Sequence, residues 1–261
     1  MLAGQLLALG FIPSFADGFL AFLAVFCLSA SALILNDLFD LEVDRVNAPQ
    51  RPLPSGLVSP TEVKMLAALT ATAGLIISFR FGLSTLILAT FLWVIGFLYN
   101  WRFKKTGLPG NLMVALSVGA TFVYGAMTIH EPWSPVVWVF SLIAFLFDLG
   151  EEIAGDAMDM AGDRKIGSKS IALQKGWLYA LRVSVLLWGL VVPLGLIPIL
   201  YGWLKVNYLP VLLLIDGLLV YFSIKLLFSR DPDEGHRAMR GAYISISLCM
   251  LVFVCLRIYM A

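Results

Sequence analysis

The sequence predicts an all-helical bundle that crosses a membrane about nine times. Three observations predict it. Hydrophobic residues make up 60% of the 261-residue chain, charged residues only 13%, and the mean hydropathy is +0.91. A soluble domain carries roughly 25% charged residues, so this chain has too few polar groups to cover a water-facing surface. Apolar stretches close to the ~20 residues that a bilayer demands recur along the whole chain. Lys and Arg gather in alternate loops, as short cytoplasmic loops do. Together these exclude a soluble enzyme, a disordered chain and a disulfide-rich secreted domain. The net charge of +1 offers no electrostatic case for nucleic acid.

The first segment, Leu2–Pro13, is too short to span alone and lacks the basic start of a signal peptide. Eight fuller spans follow: Gly18–Leu38, Met65–Phe79, Phe81–Tyr99, Asn111–Thr128, Val136–Ile153, Trp177–Leu200, Leu209–Phe228 and Met239–Met260. If they alternate, one set of loops holds Arg45, Arg51, Lys64, Arg102, Lys104, Lys105, Arg164, Lys165, Lys169, Lys175, Arg230, Arg237 and Arg240. The opposite loops hold only Arg80 and Lys205. The positive side is cytoplasmic, which puts the amino terminus inside and the carboxyl terminus outside. Residues 1–261 read as one domain. Cys27, Cys249 and Cys255 lie in apolar runs as small buried side chains, and His130 and His236 make no zinc pair. Asp216 and Arg257, both within spans near the outer side, are expected to form a structural ion pair.

The remaining acids do something topology does not require. Asp37, Asp40 and Asp44 fall in Asn-Asp-Leu-Phe-Asp-Leu-Glu-Val-Asp, residues 36–44, and Asp156, Asp159 and Asp163 fall in residues 156–163. Both sets have the spacing i, i+3, i+7, which predicts one helical face each. Both end in Asp-x-x-x-Asp-Arg, so the chain reads as a weak internal repeat with one acidic stripe per half, both at the same membrane edge. Stacked carboxylates repel, and a divalent cation relieves the repulsion. Mg²⁺ is held by one or two carboxylates plus substrate phosphates, so two facing stripes suit a diphosphate clamped by metal.

The neighbouring loops supply cations. Arg45 and Arg51 sit on a loop stiffened by Pro49, Pro52 and Pro54. Arg164, Lys165 and Lys169 follow the second stripe, and Tyr99, Arg102, Lys104 and Lys105 lie on a third loop, residues 99–111. Arg contacts phosphate by paired hydrogen bonds and Lys as a point charge; the positive-inside bias accounts for part of the set. The rival from another class is a cation transporter, but transport sites lie near the midplane, and these acids sit at an edge beside basic loops.

Residues 36–56 (NDLFDLEVDRVNAPQRPLPSG) closely resemble the first signature of the UbiA superfamily of intramembrane prenyltransferases, and residues 151–173 (EEIAGDAMDMAGDRKIGSKSIAL) resemble the second. The stretch from Tyr99 to Lys105, with the following GLPGN, looks like the intervening loop. The resemblance implies a nine-helix bundle with a central cavity, capped on the cytoplasmic side, in the cell membrane. It implies Mg²⁺-assisted transfer of a prenyl group from its diphosphate, with Asp37, Asp40, Asp44, Asp156, Asp159 and Asp163 holding metal. Asn36, Arg45, Arg51, Tyr99, Arg102, Lys104, Lys165 and Lys169 are the implied diphosphate contacts. Within the superfamily the two runs look most like the archaeal ether-lipid branch, which moves a geranylgeranyl group onto the hydroxyl of geranylgeranylglyceryl phosphate. Aromatic quinone-precursor and chlorophyll-synthase-like branches are the alternatives, so the acceptor is lipid-like or aromatic. The sequence departs from the family at its start, where only a short uncharged run precedes Pro13.

Overall fold

The computed structural model describes residues 1–165 and 167–259, and every regular element among them is helical. In chain order these are α1 (Leu2–Leu9), α2 (Phe15–Phe39), α3 (Leu41–Asn47), α4 (Pro60–Arg80) and α5 (Leu83–Leu98). A π-helical turn at Tyr99–Phe103 leads to α6 (Leu108–Thr128), α7 (Pro135–Met158), α8 (Met160–Lys165) and α9 (Ile171–Lys175). Then come α10 (Trp177–Leu200), a 3₁₀ turn at Val206–Tyr208, α11 (Leu209–Leu227) and α12 (Pro232–Tyr259).

Several helices begin earlier than the apolar stretches, because capping chemistry and not hydropathy sets helix ends. Ser14 accepts a hydrogen bond from the Asp17 N–H at the start of α2. Ser59 and Glu62 close a reciprocal capping box at the start of α4, with Pro60 in its first turn. Asp231 accepts from the Glu234 N–H at the start of α12, seven residues before the expected Met239. The last expected residue of that span, Met260, lies outside the described residues.

Among the described residues, seven helices are long and apolar enough to cross a membrane. The expected nine are therefore not reached on length and apolarity alone. α1 has 8 residues, and α7 has its apolar run interrupted by Asp148, Glu151 and Glu152. The packing is that of a protein in lipid. Large side chains such as Phe22, Phe26, Leu33, Leu69 and Ile76 are exposed, while Ala21, Ala24, Ala67 and Ala71 are buried between α2 and α4. Small residues let membrane helices approach closely enough to pack by dispersion. Ser31 fixes that contact by donating to the Ala67 carbonyl at 2.8 Å.

Close approaches at glycine continue around the bundle. A side chain at Gly119 would meet the Ser141 carbonyl of α7, and one at Gly125 would meet the Met1 carbonyl beside α1. Gly150 faces Trp188 of α10, whose indole N–H donates to the Phe147 carbonyl at 2.9 Å. These contacts seat α7 between α6 and α10 with its acidic end at the rim.

One expected pair is corrected. Arg257 does not reach Asp216. Its guanidinium donates to the Leu6 and Leu7 carbonyls at 3.4 and 3.2 Å and lies over the Tyr208 ring. Carbonyls of the last turn of α1 have spare acceptor capacity, and these attract the cation, although the Leu6 carbonyl also accepts the Gly10 N–H at 2.9 Å. Asp216 is buried against Gly195 of α10, and its Oδ2 has no hydrogen-bond partner among the described residues.

Candidate active site

The two acidic motifs share a backbone device that their spacing hid. Each stripe is expected on one continuous helical face, yet the helix breaks at the middle aspartate of both. α2 ends at Asp40 (φ −88°, ψ 2°) and α7 ends at Asp159 (φ −98°, ψ 12°), and a short helix resumes at the next residue. Hydrogen bonds bridge each break: the Asp40 N–H to the Asn36 carbonyl and the Asp44 N–H to the Asp40 carbonyl, both under 3 Å. The Asp159 N–H bonds the Gly155 carbonyl, and the Asp163 N–H bonds the Asp159 carbonyl at 3.0 Å. The internal repeat is thus a matched pair of helix breaks, each at the middle aspartate of its motif.

In the first motif the acids part company. Arg51 Nη1 lies 2.8 Å from Asp44 Oδ2 and 3.5 Å from Asp37 Oδ1. Asp44 is the most buried of the six, at 9% exposure. Asp40 pairs with Lys104, whose ammonium also donates to the Asn36 side-chain oxygen at 3.1 Å. Each aspartate of this motif therefore holds a cation. Arg45 turns away: it pairs with Glu42 at 2.8 Å on the exposed side.

Lys104 reaches across because of the π turn. The Lys104 N–H bonds the Tyr99 carbonyl five residues back at 2.8 Å. Such a widened turn, common at functional sites, swings the loop towards α2, where Asn100 donates to the Ala32 carbonyl at 3.0 Å. Tyr99 then stands where the motifs meet, within electrostatic reach of Asp40, Asp156 and Glu152.

The second motif has no such cations. Among the described residues none of Asp156, Asp159 and Asp163 has a Lys or Arg partner. Asn111, buried in the first turn of α6, donates to Asp156 Oδ2 at 2.9 Å. His236 at the start of α12 lies 3.8 Å from Asp159. Burial pushes the Asp163 carboxyl above its ordinary range; the Ser168 and Ser170 hydroxyls oppose this, and the nearby Asp159 charge adds to it. Asp163 Oδ2 is buried without a partner. Asp148, Glu151 and Glu152 extend the acidic line up α7 into the bundle.

The loops are locked to each other by backbone. The Lys169 N–H donates to the Lys105 carbonyl at 3.0 Å. Gly107 has φ +70°, and any side chain there would strike the Lys169 carbonyl. Arg102, Lys165 and Lys169 themselves are exposed at this rim. Sequence reasoning missed Asn111 and His236. Asn111 carried a signal, as the last residue of the Gly-Leu-Pro-Gly-Asn string; His236 carried none, since only tertiary packing brings α12 to Asp159.

Comparison with known proteins decides the family. The sequence profile of the UbiA prenyltransferase family matches residues 1–249. The chain belongs to the UbiA prenyltransferase family. It is an enzyme of the membrane-embedded prenyltransferase class. It is 31% identical over 251 residues to digeranylgeranylglyceryl phosphate synthase of Thermococcus kodakarensis, covering 96% of this chain and 89% of that one. It is 36% identical over 231 residues to the synthase of the same name from Methanopyrus kandleri, covering 88% and 83%. A solved structure described as giving insights into digeranylgeranylglyceryl phosphate synthase in membranes superposes with a TM-score of 0.87 at 28% identity, covering 98% and 91%. A UbiA homolog from Archaeoglobus fulgidus, solved with DMAPP and Mg²⁺, shares the fold with a TM-score of 0.66 at 18% identity, covering 94% of each chain.

The six aspartates suit a hard cation by donor type, since all their donors are oxygen. The unpartnered Asp163 oxygen points the same way. Among the described residues no three acidic, His or Cys side chains close into a compact metal-binding group.

Proposed function

We propose that this UbiA prenyltransferase moves a geranylgeranyl group from its diphosphate to the free hydroxyl of geranylgeranylglyceryl phosphate, at the cytoplasmic face of the cell membrane. The observation that carries the head-group chemistry is the meeting of two unlike acidic motifs at one rim, one already holding Arg51 and Lys104, the other without a cation. A diphosphate with bound Mg²⁺ satisfies both. The cytoplasmic assignment rests on the positive-inside loops. The acceptor rests on the relatives named digeranylgeranylglyceryl phosphate synthase.

Asp37, Asp40 and Asp44 on one side and Asp156, Asp159 and Asp163 on the other would hold Mg²⁺. When bound, it supplies Lewis-acid neutralisation of the departing diphosphate. The chain's own residues do the rest. Arg51 and Lys104 lie at the first motif with donors to offer phosphate oxygens, and Asn36 orients the Lys104 ammonium. Asn111 holds Asp156 in position. Tyr99 stands where the motifs meet, and its π face would steady positive charge developing on the carbon that loses the diphosphate. The allylic C–O bond breaks with its electron pair leaving on the diphosphate, and the acceptor oxygen bonds to the freed carbon. The acceptor proton passes to a carboxylate on the inner turn of α7, where Glu151 and Glu152 lie.

The test is a radiolabelled transfer assay on purified protein in detergent with Mg²⁺ and geranylgeranyl diphosphate, offering geranylgeranylglyceryl phosphate or 4-hydroxybenzoate. Transfer to the glyceryl phosphate alone is the expected result. Transfer to the aromatic acid keeps the metal chemistry and overturns the acceptor; transfer to neither overturns the reading.

A further inference from the structure

A groove leads from the site into the bundle. Its mouth carries the polar side chains of Asn36, Tyr99 and Lys104, and its wall continues past Ala32, Gly96 and Ser117. Those three small residues also line a deeper apolar cavity between α2, α5 and α6. The deep part is walled by Val25, Leu28 and Trp93 and closed by Tyr124. Along α2 the run from Asn36 to Val25 is roughly 16 Å at a helical rise of 1.5 Å per residue.

The floor is fixed. Tyr124 is 2% exposed, and its hydroxyl shares a 2.9 Å hydrogen bond with Ser78 Oγ on α4. Ser78 in turn donates to the Gly74 carbonyl at 2.7 Å. Swinging the ring aside would strand a buried hydroxyl in an apolar surrounding, which is unfavourable. The Trp93 wall is pinned likewise, its indole N–H donating to Ser31 Oγ at 3.0 Å. The channel is open because small residues stand opposite one another; a side chain added at Gly96 would touch Ala32.

We propose that Tyr124 is a specificity-determining residue: it closes this groove and sets the longest prenyl chain the enzyme accepts. The proposal rests on the function above and deepens it. The occupant is the apolar tail of the diphosphate donor, because beyond the mouth the lining carries no charged group and is mostly apolar, with only the hydroxyls of Ser29, Ser117, Thr121 and Tyr124 and the Trp93 indole as side-chain polar atoms. The depth far exceeds what a five-carbon group fills.

The experiment measures kcat/KM of the purified full chain with Mg²⁺ for geranyl, farnesyl, geranylgeranyl and geranylfarnesyl diphosphates. Tyr124→Ala should improve the longest donor relative to geranylgeranyl by about tenfold or more, the range in which apolar pockets discriminate by size. Tyr124→Phe, which keeps the ring, should leave the length preference unchanged. Ser117→Phe, which narrows the groove midway, should shift preference to shorter donors and carries the test if the alanine variant does not fold. An equal change for all donors in Tyr124→Ala and in Ser117→Phe overturns the proposal. Thermal stabilisation by non-hydrolysable thiolodiphosphates of the same lengths is read in parallel. If the wild type stabilises with them but transfers to neither acceptor, the transfer reading fails. A length optimum that moves in Tyr124→Ala then still supports the floor, and one that does not move overturns it.

Discussion

The two acidic motifs match in spacing, in the position of the helix break and in the Asp-Arg string that ends each, yet they are stabilised by opposite means. At the first, Arg51 and Lys104 neutralise the aspartates. At the second, the partners are an amide and an imidazole, from Asn111 and His236. A repeat that duplicated a structural helix end would have kept the same partners on both sides. Under the proposed function the difference is a division of labour, in which the first motif would carry its own positive charge to an anion and the second would take positive charge from outside.

The comparison breaks most sharply if the acids are removed. Asp40→Ala and Asp159→Ala should each lower turnover by more than about a hundredfold, the scale on which charge-stabilising groups act, with melting temperatures near wild type. The Mg²⁺ dependence should separate them. Asp159→Ala should need far more Mg²⁺ for its residual activity, because the second motif has no Lys or Arg to fall back on. Equal Mg²⁺ requirements for the two variants would end the proposed asymmetry.

A smaller effect is expected where the loops meet. Gly107→Ala puts a methyl group against the Lys169 carbonyl at a residue with φ +70°. It should cost about 1–3 kcal/mol of stability, in the range of strain at special backbone positions. Activity should fall more than the melting temperature suggests, since the Lys104 loop and the second-motif loop then separate. Thermal melts alongside assays check this.

The smallest effect concerns the braces. Arg51 is half-exposed, so its pairing with Asp44 should show a coupling of only about 0.5–1 kcal/mol in a double-mutant cycle, weakening with salt. The Asn111–Asp156 bond, between an uncharged amide and a carboxylate, should show coupling that salt changes much less. Salt-sensitive coupling at Asn111 would mean that a cation approaches the second motif in solution.

Much of this was legible in the sequence. Apolar runs located the spans because a bilayer tolerates almost no charge along a helix facing lipid. The Asp37-Asp40-Asp44 and Asp156-Asp159-Asp163 spacing pointed to the candidate site, because carboxylates at a membrane edge are rare enough to be informative. Asn111 was within reach of the same reasoning, as a lone amide in the first turn of α6. Arg51 and Lys104 were named, but as contacts for phosphate and not for the aspartates they hold here.

What the sequence determined by itself was the class of environment, the order of the spans and the identity of the acids, all local properties of composition and spacing. Tertiary structure alone decided which partner each acid received. His236 reaches Asp159 only because α12 packs on α7. Lys104 reaches Asp40 only because a π turn follows α5. Arg257 binds the carbonyls at the end of α1 and the Tyr208 ring, and not Asp216, because the packing of α12 against α1 sets its reach. Side-chain partners across helices depend on how the helices are rotated and how deep they sit, and small residues such as Gly119 and Gly150 set that by letting particular backbones touch. One sequence read along its length does not contain those rotations.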